Sequence, residues 1–357
     1  MKGRFALTAV LGLLCLGSPA QAVTIDTVFV GDPGNDGELS GAGAGGSGPN
    51  RICGSVGYSY SIGKYEVTVA QYTDFLNKVA RTDTYGLYST YMDTAIDSYG
   101  CNIRRGGSSG TYTYTIGNGT TDVLLWANRP VNYVSYWDAC RFANWLHNGQ
   151  PMGLQTAATT ERGAYTLDGY TGQKGRDIQR NAGWKWAVTS EDEWYKAAYY
   201  KSGGTTAGYW DYPMQSNTPT TPSNDITDPD GGNNANFYQN GYTLGSPYYR
   251  TNAGEFEDSE SAYGTFDQGG NVWEWNEAIV YEDSTYAYRG LRGGCSESNA
   301  SYYLQASYRG YYVYGTPADE YDILGFRVSA VPEPSSILAL VSGLLPLLGA
   351  GRLRRSR

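Results

Sequence analysis

The sequence predicts one loop-rich α+β domain between two terminal segments of different character. Three short apolar stripes at helical spacing, each preceded by a capping residue, are separated by stretches of strand-like or turn-like composition. Glycine and tyrosine are abundant, at 48 and 34 of 357 residues, which favours loops and short strands. With 40 % apolar residues and nine tryptophans the chain can bury a sizeable core, and no internal repeat or linker divides it.

The first helix is predicted directly after a strand from Tyr58 to Val67. Thr68 followed by Gln71 is a capping-box pattern, in which each residue bonds the backbone N–H of the other. The apolar positions that follow share one helical face: Val69, Tyr72, Phe75, Leu76 and Val79. Upstream, the Gly-rich stretch 31–50 predicts a loop, and it lacks the Gly-Lys-Ser/Thr of a phosphate-binding loop.

Two further helices are predicted downstream. In the second, Ser135 is the cap, Asp138 lies at the third position, and Cys140 lies beside the apolar stripe as a small, half-buried residue. The third begins at Thr189 or Ser190 and has acidic residues in its first turn, where the helix dipole favours them. Between the first two helices, the piece "TYTYTI" predicts a strand.

Residues 1–22 have the features of a secretory signal peptide. A basic start precedes an apolar run from Phe5 to Leu16 and a small-x-small site at Ala20-Gln21-Ala22, so we expect cleavage before Val23. The alternative is a buried first helix. Residues 23–54 then form a Gly-rich N-terminal segment with a strand, and residues 55–330 form the domain.

Residues 331–357 contain Pro332-Glu333-Pro334, an apolar stretch from Ile337 to Leu348 and an Arg-rich tip. The stretch is short for a membrane-spanning helix, which needs about 20 residues. This order resembles the PEP-CTERM sorting signal of Gram-negative bacteria. The resemblance implies a transient membrane anchor, an exosortase as processing partner, and delivery to the cell surface or extracellular matrix. A retained C-terminal anchor is the alternative.

The charge balance excludes one class of partner. The formal net charge is −9. Removing the six basic residues of the two terminal segments leaves the middle of the chain at about −15. Such an acidic domain would repel nucleic acid, so nucleic-acid binding is not expected. The charge is typical of an exported protein that is exposed to divalent cations.

Six motifs follow one another in a fixed order and carry a family resemblance. They are "YEVTVAQYTDFL" (65–76), "PVNYVSYWDACRFANWL" (130–146), "WAVTSEDEWYKAAYY" (186–200), "FDQGGNVWEWNE" (266–277), "LRGG" (291–294) and "LGFRV" (324–328). This order resembles the formylglycine-generating enzyme, or sulfatase-modifying factor, family over residues 55–330. The resemblance implies a compact, loop-rich fold of C-type-lectin-like architecture.

The stretch "DQGGNVWEW" has the composition of a calcium loop. Its glycines permit a tight turn, Asp267 and Glu274 offer hard oxygen ligands, and the carbonyls of Gly270 and Val272 could add two more. The resemblance implies calcium at these same four residues. The alternative is an acidic loop stabilised by tryptophan packing without a metal.

The resemblance also implies a second calcium site at Asn236 and Phe237. The later ligands of that site would fall near Gly245 and Pro247, where the acid of the family is missing.

Cys295 follows a Gly-Gly turn near the end of the domain. Enzymes of the family bind copper(I), a soft ion suited to thiolates, through two cysteines, and with oxygen they convert a substrate cysteine to formylglycine. Counted from Gly294, those cysteines belong at the fourth and ninth positions, which here are Ser298 and Tyr303. We therefore expect no copper and no catalytic thiol, and we interpret Cys295 as a turn residue or half of a disulfide.

The cysteines limit the possible disulfides, and the single histidine excludes two kinds of catalytic site. After signal removal Cys53, Cys101, Cys140 and Cys295 allow three disulfide pairings, among which the sequence does not choose. The lone His147 rules out the three-histidine iron site of another branch of this fold, and also a Ser/His/Asp hydrolase. We interpret it as a solvated partner of a helix dipole.

Three functions stay open, and the first is favoured. It is an exported, calcium-stabilised module without catalytic activity that binds a protein or glycan in the former substrate groove. Tyrosine mixed with serine and asparagine makes adaptable contact surfaces, and tyrosine rings stack on sugars. The candidate contacts are Ser298, Tyr302, Tyr303 and Tyr308, with Tyr311, Tyr312 and Tyr314 close in sequence. These tyrosines could instead alternate along solvated strands.

The second function is a copper-dependent oxidase that acts on a protein cysteine through Cys295 and another thiol. The third is a purely structural extracellular-matrix protein. The family match supports the second, and the acidity and the sorting tail support the third.

Overall fold

The computed structural model describes residues 22–310 and 315–331. The strands are β1 (Thr27–Val30), β2 (Glu38–Ser40), β3 (Arg51–Cys53), β4 (Tyr60–Gly63), β5 (Ile103–Gly106), β6 (Thr113–Ile116), β7 (Trp186–Val188), β8 (Trp273–Glu282), β9 (Ala287–Arg292), β10 (Leu324–Gly325) and β11 (Val328–Ala330). The α-helices are α1 (Val69–Val79), α2 (Thr120–Trp126), α3 (Tyr136–His147) and α4 (Glu191–Tyr199). This is the mixed α and β content that the sequence predicts.

A four-stranded antiparallel sheet has the strand order β1-β4-β11-β7. Its edge strand β1 comes from the N-terminal segment, and β11 lies between β4 and β7. The observed β4 is shorter than the strand predicted from Tyr58 to Val67. The reason is that the Val67 N–H donates to the Phe326 carbonyl at 2.9 Å, outside the ladders of the sheet.

A second sheet has the order β10-β8-β9 and carries the site described below. β8 and β9 form an antiparallel hairpin that pairs Glu274 with Arg292 and Ile279 with Arg289, with an irregular register between them. Two small hairpins complete the strands. β5 pairs with β6, which confirms the strand predicted at "TYTYTI". β2, inside the stretch 31–50 predicted as a loop, pairs with β3, which follows that stretch.

Capping boxes start three of the helices as predicted. In α1 the Gln71 N–H donates to Thr68 Oγ1 at 3.3 Å and the Thr68 N–H donates to Gln71 Oε1 at 2.9 Å. Ser135 caps α3, and Ser190 rather than Thr189 caps α4. The seven-residue α2 was not predicted, because it begins after a glycine that offers no side-chain cap.

The core between α1 and α3 is aromatic. The Phe75 ring lies 5.3 Å from the Phe142 ring and 5.2 Å from the Trp145 ring, and Phe326 contacts Phe142 at 5.4 Å, measured between centroids. All four side chains are fully buried, and each contributes roughly 1.5–3 kcal/mol by leaving water. This packing joins the N-terminal helix to the Gly-Phe-Arg motif at the other end of the domain.

The N-terminus expected after signal cleavage is anchored. The Val23 N–H donates to Gln150 Oε1 at 2.6 Å, and the Val23 carbonyl accepts from Gln150 Nε2 at 2.7 Å. Within residues 22–310 and 315–331, no helix is long and apolar enough to cross a bilayer. The predicted signal core and the predicted C-terminal helix from Ile337 to Leu348 lie outside the described residues.

The cysteines of the described chain are buried free thiols: Cys53, Cys101, Cys140 and Cys295. Cys295 is therefore a turn residue and not half of a disulfide. Cys140 is fully buried rather than half-buried, because every residue of α3 from Tyr136 to Leu146 is buried. This burial raises the pKa of the Cys140 thiol.

A buried ion network surrounds Glu191, the first residue of α4. Arg292 donates to Oε1 from Nη2 at 2.8 Å, Arg309 donates to both carboxylate oxygens at 2.8 Å, and Arg51 donates to Oε2 at 3.1 Å. Burial by itself would raise the pKa of Glu191, but the three guanidinium groups outweigh it and lower that pKa to about 2. One carboxylate thus joins β3, α4, β9 and the segment after it.

The thiols lead to a first prediction. The folded chain should resist alkylation by iodoacetamide at neutral pH, because burial both hides the sulfur atoms and disfavours thiolates. In urea without reductant, Cys53, Cys101, Cys140 and Cys295 should each take one label, as read by peptide mass spectrometry. A pair that stays unlabelled until reductant is added would contradict the free-thiol arrangement.

The Glu191 network leads to a second prediction. Glu191→Gln leaves Arg292 and Arg309 buried without a counter-ion, so the free energy of unfolding in urea should fall by about 3 kcal/mol or more. Because the folded pKa lies below the ordinary 4.5, the stability that Glu191 contributes is complete above that pH and is lost as the pH falls toward 2.

The control is Glu257→Gln, which removes an exposed carboxylate. It should leave both the neutral-pH stability and its acid dependence close to those of the parent. A Glu191→Gln variant with an unchanged acid slope would show that the network does not hold this carboxylate ionised.

Candidate functional site

The turn that follows β9 is built by two glycines. Gly293 and Gly294 have φ values of +96° and +78°, in the left-handed region that favours glycine. A Cβ on Gly293 would lie 2.7 Å from the Gln268 carbonyl oxygen. On Gly294 it would lie 3.0 Å from Leu304 Cδ1 and 3.4 Å from Tyr303 Cβ. The turn thus brings Cys295 and Tyr303 into one small region.

Cys295 packs against Ser298, where the resemblance implies the first of two cysteines. Its N–H donates to Ser298 Oγ at 3.0 Å, and its Sγ lies 3.7 Å from the same oxygen. Only 2 % of Cys295 is exposed, and this burial raises the pKa of its thiol to about 12. At neutral pH the sulfur is a protonated thiol, which is a poor nucleophile and a poor ligand for a soft metal ion.

Four rings form an aromatic cluster beside this turn: Trp273, Tyr302, Tyr303 and Tyr308. Centroids are 4.3 Å apart for Tyr302 and Tyr303, 4.9 Å for Tyr303 and Tyr308, and 5.8 Å for Trp273 and Tyr308. Tyr302 is 48 % exposed while Trp273 is buried, so the cluster has a solvent side and a core side.

The tyrosines do not alternate along a strand, because Ser301–Leu304 forms a short 3₁₀ helix. A hydrogen bond with Tyr302, together with partial burial, raises the pKa of Tyr303 to about 12. Tyr303 is therefore a neutral phenol at neutral pH. Tyr311, Tyr312 and Tyr314 lie outside the described residues.

The predicted calcium loop holds an ion pair. Arg327 donates to Glu274 Oε2 from Nε at 2.6 Å and to Oε1 from Nη2 at 2.7 Å, and Trp194 Nε1 donates to Oε2 at 2.8 Å. Glu274 is buried. A calcium ion at this carboxylate would share it with Arg327 or displace Arg327. Calcium binding at Asp267, Gly270, Val272 and Glu274 stays a prediction.

Two other carboxyl groups surround the same arginine. Asp267, at φ +59°, accepts from the Gly254 N–H at 2.6 Å, and burial raises the pKa of Asp267 to about 6. Glu66 is buried, its oxygens accept no hydrogen bond among the described residues, and its nearest cation is Arg327 at 4.0 Å. Burial and the neighbouring Asp267 raise the pKa of Glu66.

The second predicted calcium pair lies in a buried amide network. Asn236 Nδ2 donates to Asn271 Oδ1 at 2.7 Å and to the Tyr249 carbonyl at 3.0 Å, while Phe237 is fully buried. Asn271 Oδ1 also accepts from the backbone and hydroxyl of Thr251, each at 3.0 Å. These contacts hold the loop in its conformation, and calcium at Asn236 and Phe237 likewise stays a prediction.

The described residues offer few ligands for a transition-metal site. Among the described residues, no group of three or more His, Cys, Asp or Glu side chains is arranged to hold a metal ion. His147, at the end of α3, accepts the Lys185 N–H through Nδ1 at 3.0 Å, and burial lowers its pKa. Cys295, Ser298 and Tyr303 do not fit a copper(I) site, since only one of them carries sulfur.

Sequence reasoning missed the partners of these motifs. "LGFRV" and "VWEW" were recognised as landmarks, but nothing in their spacing shows that Arg327 and Glu274 form a buried pair. The Asn236–Asn271 contact was also missed, because it joins residues 35 positions apart. Each charge is flanked by apolar residues in the sequence, and this is the signal that could have suggested the first of these pairs.

Residues 52–330 match the family described as the sulfatase-modifying factor enzyme 1-like domain. No curated protein matches the sequence. Three solved structures are similar. The crystal structure of CarF has 18 % sequence identity and a TM-score of 0.46, and the match covers 87 % of this chain and 99 % of CarF. Treponema denticola variable protein 1 has 16 % identity and a TM-score of 0.41, with 88 % of this chain and 100 % of that one covered, and PvdO from Pseudomonas aeruginosa has 17 % identity and a TM-score of 0.41, with 86 % and 92 % covered.

The family match spans well over half of the 357 residues, and it includes the Glu274 loop, the Gly-Gly turn and the Arg327 motif. The chain belongs to the sulfatase-modifying factor enzyme 1-like family.

Proposed function

We propose that this chain is an exported ligand-binding member of its family that does not generate formylglycine. Its aromatic cluster takes the place of the copper site and contacts a glycan or protein ligand. The observation that carries this proposal is that Ser298 and Tyr303 stand where the resemblance implies the two copper-binding cysteines, while the neighbouring Cys295 is buried against Ser298.

The absence of a second thiol in the turn supports the loss of oxidation chemistry. A copper(I) site needs soft thiolate ligands, whereas Ser298 offers a hydroxyl and Tyr303 a phenol with a pKa of about 12. Cys295 itself is a buried thiol whose pKa is also about 12. These three side chains therefore suit copper(I) neither by their chemical type nor by their protonation at neutral pH.

The exposed part of the aromatic cluster supports ligand binding. Tyrosine offers a flat apolar ring and a polar hydroxyl with only two side-chain torsions to order, so it contributes contact area at low entropic cost. The Tyr302 ring is half exposed and is held by Tyr303 beneath it. Such a platform suits the face of a sugar ring or an apolar side chain of a partner protein.

Export is the third part of the proposal. The signal-peptide pattern of residues 1–22 and the resemblance of residues 331–357 to a PEP-CTERM tail support processing by an exosortase-type enzyme and delivery to the cell surface or matrix. The hydrogen bonds between Val23 and Gln150 suit a chain that begins at Val23.

The first test is an oxidation assay. The purified chain, with copper(I) and oxygen, should leave a peptide containing Cys-x-Pro-x-Arg unchanged, as followed by mass spectrometry of the peptide cysteine. Conversion to the aldehyde that is lost in a Cys295→Ser variant would instead establish the copper-dependent oxidase. The integrity of the folded protein is checked by its melting temperature in the same buffer.

The second test is binding. A ligand found on glycan and peptide arrays should bind Tyr302→Ala at least about fivefold more weakly, because a stacked ring contributes roughly 1 kcal/mol. The matched control is Tyr281→Ala, which removes a ring of similar exposure, 44 % against 48 %, that contacts Tyr288 on the same hairpin. Arrays without any ligand would favour the structural matrix protein, and equal losses in both variants would place the ligand away from the aromatic cluster.

A further inference from the structure

Four further tyrosines form a second set of contacting rings at the surface, here called the tyrosine patch: Tyr99, Tyr238, Tyr242 and Tyr249. The Tyr99 ring is stacked on the Tyr249 ring with centroids 4.4 Å apart. The Tyr242 ring meets those of Tyr249 and Tyr238 edge to face, each at 5.1 Å, with interplanar angles of 73° and 87°. An edge-to-face contact has an inner corner on each side, where one small group can touch two rings.

The rings of the patch reach solvent. Tyr238 and Tyr242 are each 37 % exposed, and Tyr99 and Tyr249 are half-buried. A hydrogen bond between Tyr99 and Tyr242, together with burial and the neighbouring phenols, raises the pKa of Tyr99. The hydroxyl groups are thus partly bonded to one another, and the patch offers a ligand mainly the faces of neutral rings.

Two carboxylates border the patch at Tyr99. Asp97 Oδ1 accepts the Tyr99 N–H at 2.8 Å. Asn132 Nδ2 donates to the carbonyl of Tyr99 at 2.8 Å and to that of Asp322 at 2.6 Å, so it holds Asp322 beside the same tyrosine. Both acids therefore lie at fixed positions next to the stacked pair of rings.

A third carboxylate, that of Glu297, borders the patch at Tyr238 and Tyr242. Glu297 precedes Ser298, whose carbonyl accepts the Tyr238 N–H at 3.0 Å, and its charge acts on the Tyr242 hydroxyl. Glu297 is half-buried, and its carboxylate forms neither an ion pair nor a hydrogen bond with the described residues. It is an acid without a partner at the edge of an aromatic surface.

The border of the patch is negatively charged. Arg250 is the cation that acts on both Glu297 and Asp322, but it is fully buried and donates to the carbonyls of Tyr99 and Gly100 rather than to a carboxylate. Three carboxylates against one guanidinium leave an excess of about two negative charges. Burial and neighbouring acids raise the pKa values of Glu297 and Asp322, as expected of carboxylates that lack a cation.

No cation of the described chain covers these rings. Elsewhere in the domain, tyrosine rings have an arginine of the same chain above them, with Arg129 4.2 Å from the centre of Tyr248 and Arg105 4.8 Å from the centre of Tyr88. Within residues 22–310 and 315–331, no lysine or arginine lies over a ring of the patch. The ring faces that attract cations are therefore free for a cation from outside.

We propose that the tyrosine patch binds a small quaternary ammonium group, which lies in the corners between the rings with the three carboxylates around it. A quaternary ammonium has no N–H to satisfy and is attracted by ring faces and by carboxylates that it does not touch. A calcium ion would instead need several oxygen atoms in direct contact, and a primary ammonium is strongly hydrated. The patch offers faces and charge rather than a cage of acceptors, which favours the quaternary ion.

The test uses the full chain and three probes. Choline chloride supplies the quaternary ammonium, neohexanol has the same shape with a carbon atom in place of the nitrogen, and ammonium chloride supplies a small hydrated cation. Isothermal titration calorimetry should show saturable choline binding that weakens as salt is added, and binding of the other two at least about fivefold weaker. Neohexanol or ammonium binding as tightly as choline, or choline failing to bind, would overturn the proposal.

Variants locate the choline. Tyr242→Leu keeps an apolar side chain but removes the aromatic face, and it should weaken choline at least about fivefold. Its matched control is Tyr281→Leu, which removes an exposed ring on the β8–β9 hairpin (44 % against 37 % exposed) and should leave the affinity unchanged. Equal losses in the two variants would place choline away from the patch and overturn the proposal.

The role of the border is tested by charge. Glu297→Gln should weaken choline about threefold, because it removes one of the surrounding negative charges. Glu257→Gln is the matched control, since it changes the net charge by the same amount at an exposed position outside the patch. An affinity that falls equally in both would show that choline responds only to the overall charge, which contradicts the proposed site.

The tyrosine patch is separate from the aromatic cluster to which the proposed function assigns a glycan or protein ligand. Tyr302→Ala should leave choline affinity unchanged, so the two proposals can fail independently. A loss of choline binding in Tyr302→Ala as large as that in Tyr242→Leu would place the ammonium on the aromatic cluster and overturn the present assignment.

Discussion

The buried pair of Arg327 and Glu274 is the interaction on which most of this domain depends. Besides its two bonds to Glu274, Arg327 donates to the carbonyls of Gly63 and Phe266, each at 3.0 Å. Trp194 then connects the same glutamate to α4. One guanidinium thus joins β4, the loop before β8, β8 itself and the C-terminal strands. Short strands and long loops can hold this shape because charged side chains supply the hydrogen bonds that longer ladders would otherwise provide.

A buried ion pair is costly unless every lone pair and donor is satisfied. Glu274 meets this condition, and so does Glu191 with its three arginines. Arg289 does not, since its acceptors are neutral carbonyls. Arg250 is bound in the same way, to the carbonyls of Tyr99 and Gly100. Such satisfied pairs are how a chain with only 17 % charged residues can bury several of them.

The sequence predicted what local chemistry determines. Three helices begin after a capping residue whose side-chain oxygen accepts from a backbone N–H of the first turn: Thr68, Ser135 and Ser190. The partners are only three residues apart, so the sequence alone reveals this pattern. The Arg327–Glu274 pair depends on a contact between positions 53 residues apart, so no spacing rule reveals it. The extent of β4 was overestimated for the same reason, because the backbone partner of Val67 lies at Phe326.

The position of β11 has a consequence for how the chain is made. This strand, Val328–Ala330, lies inside the main sheet and separates β4 from β7, yet it is the last strand of the described chain. During synthesis β1 can pair with β4 early, whereas β7 has no partner in this sheet until β11 follows. The four-stranded sheet is therefore completed only when nearly all of the domain has been made.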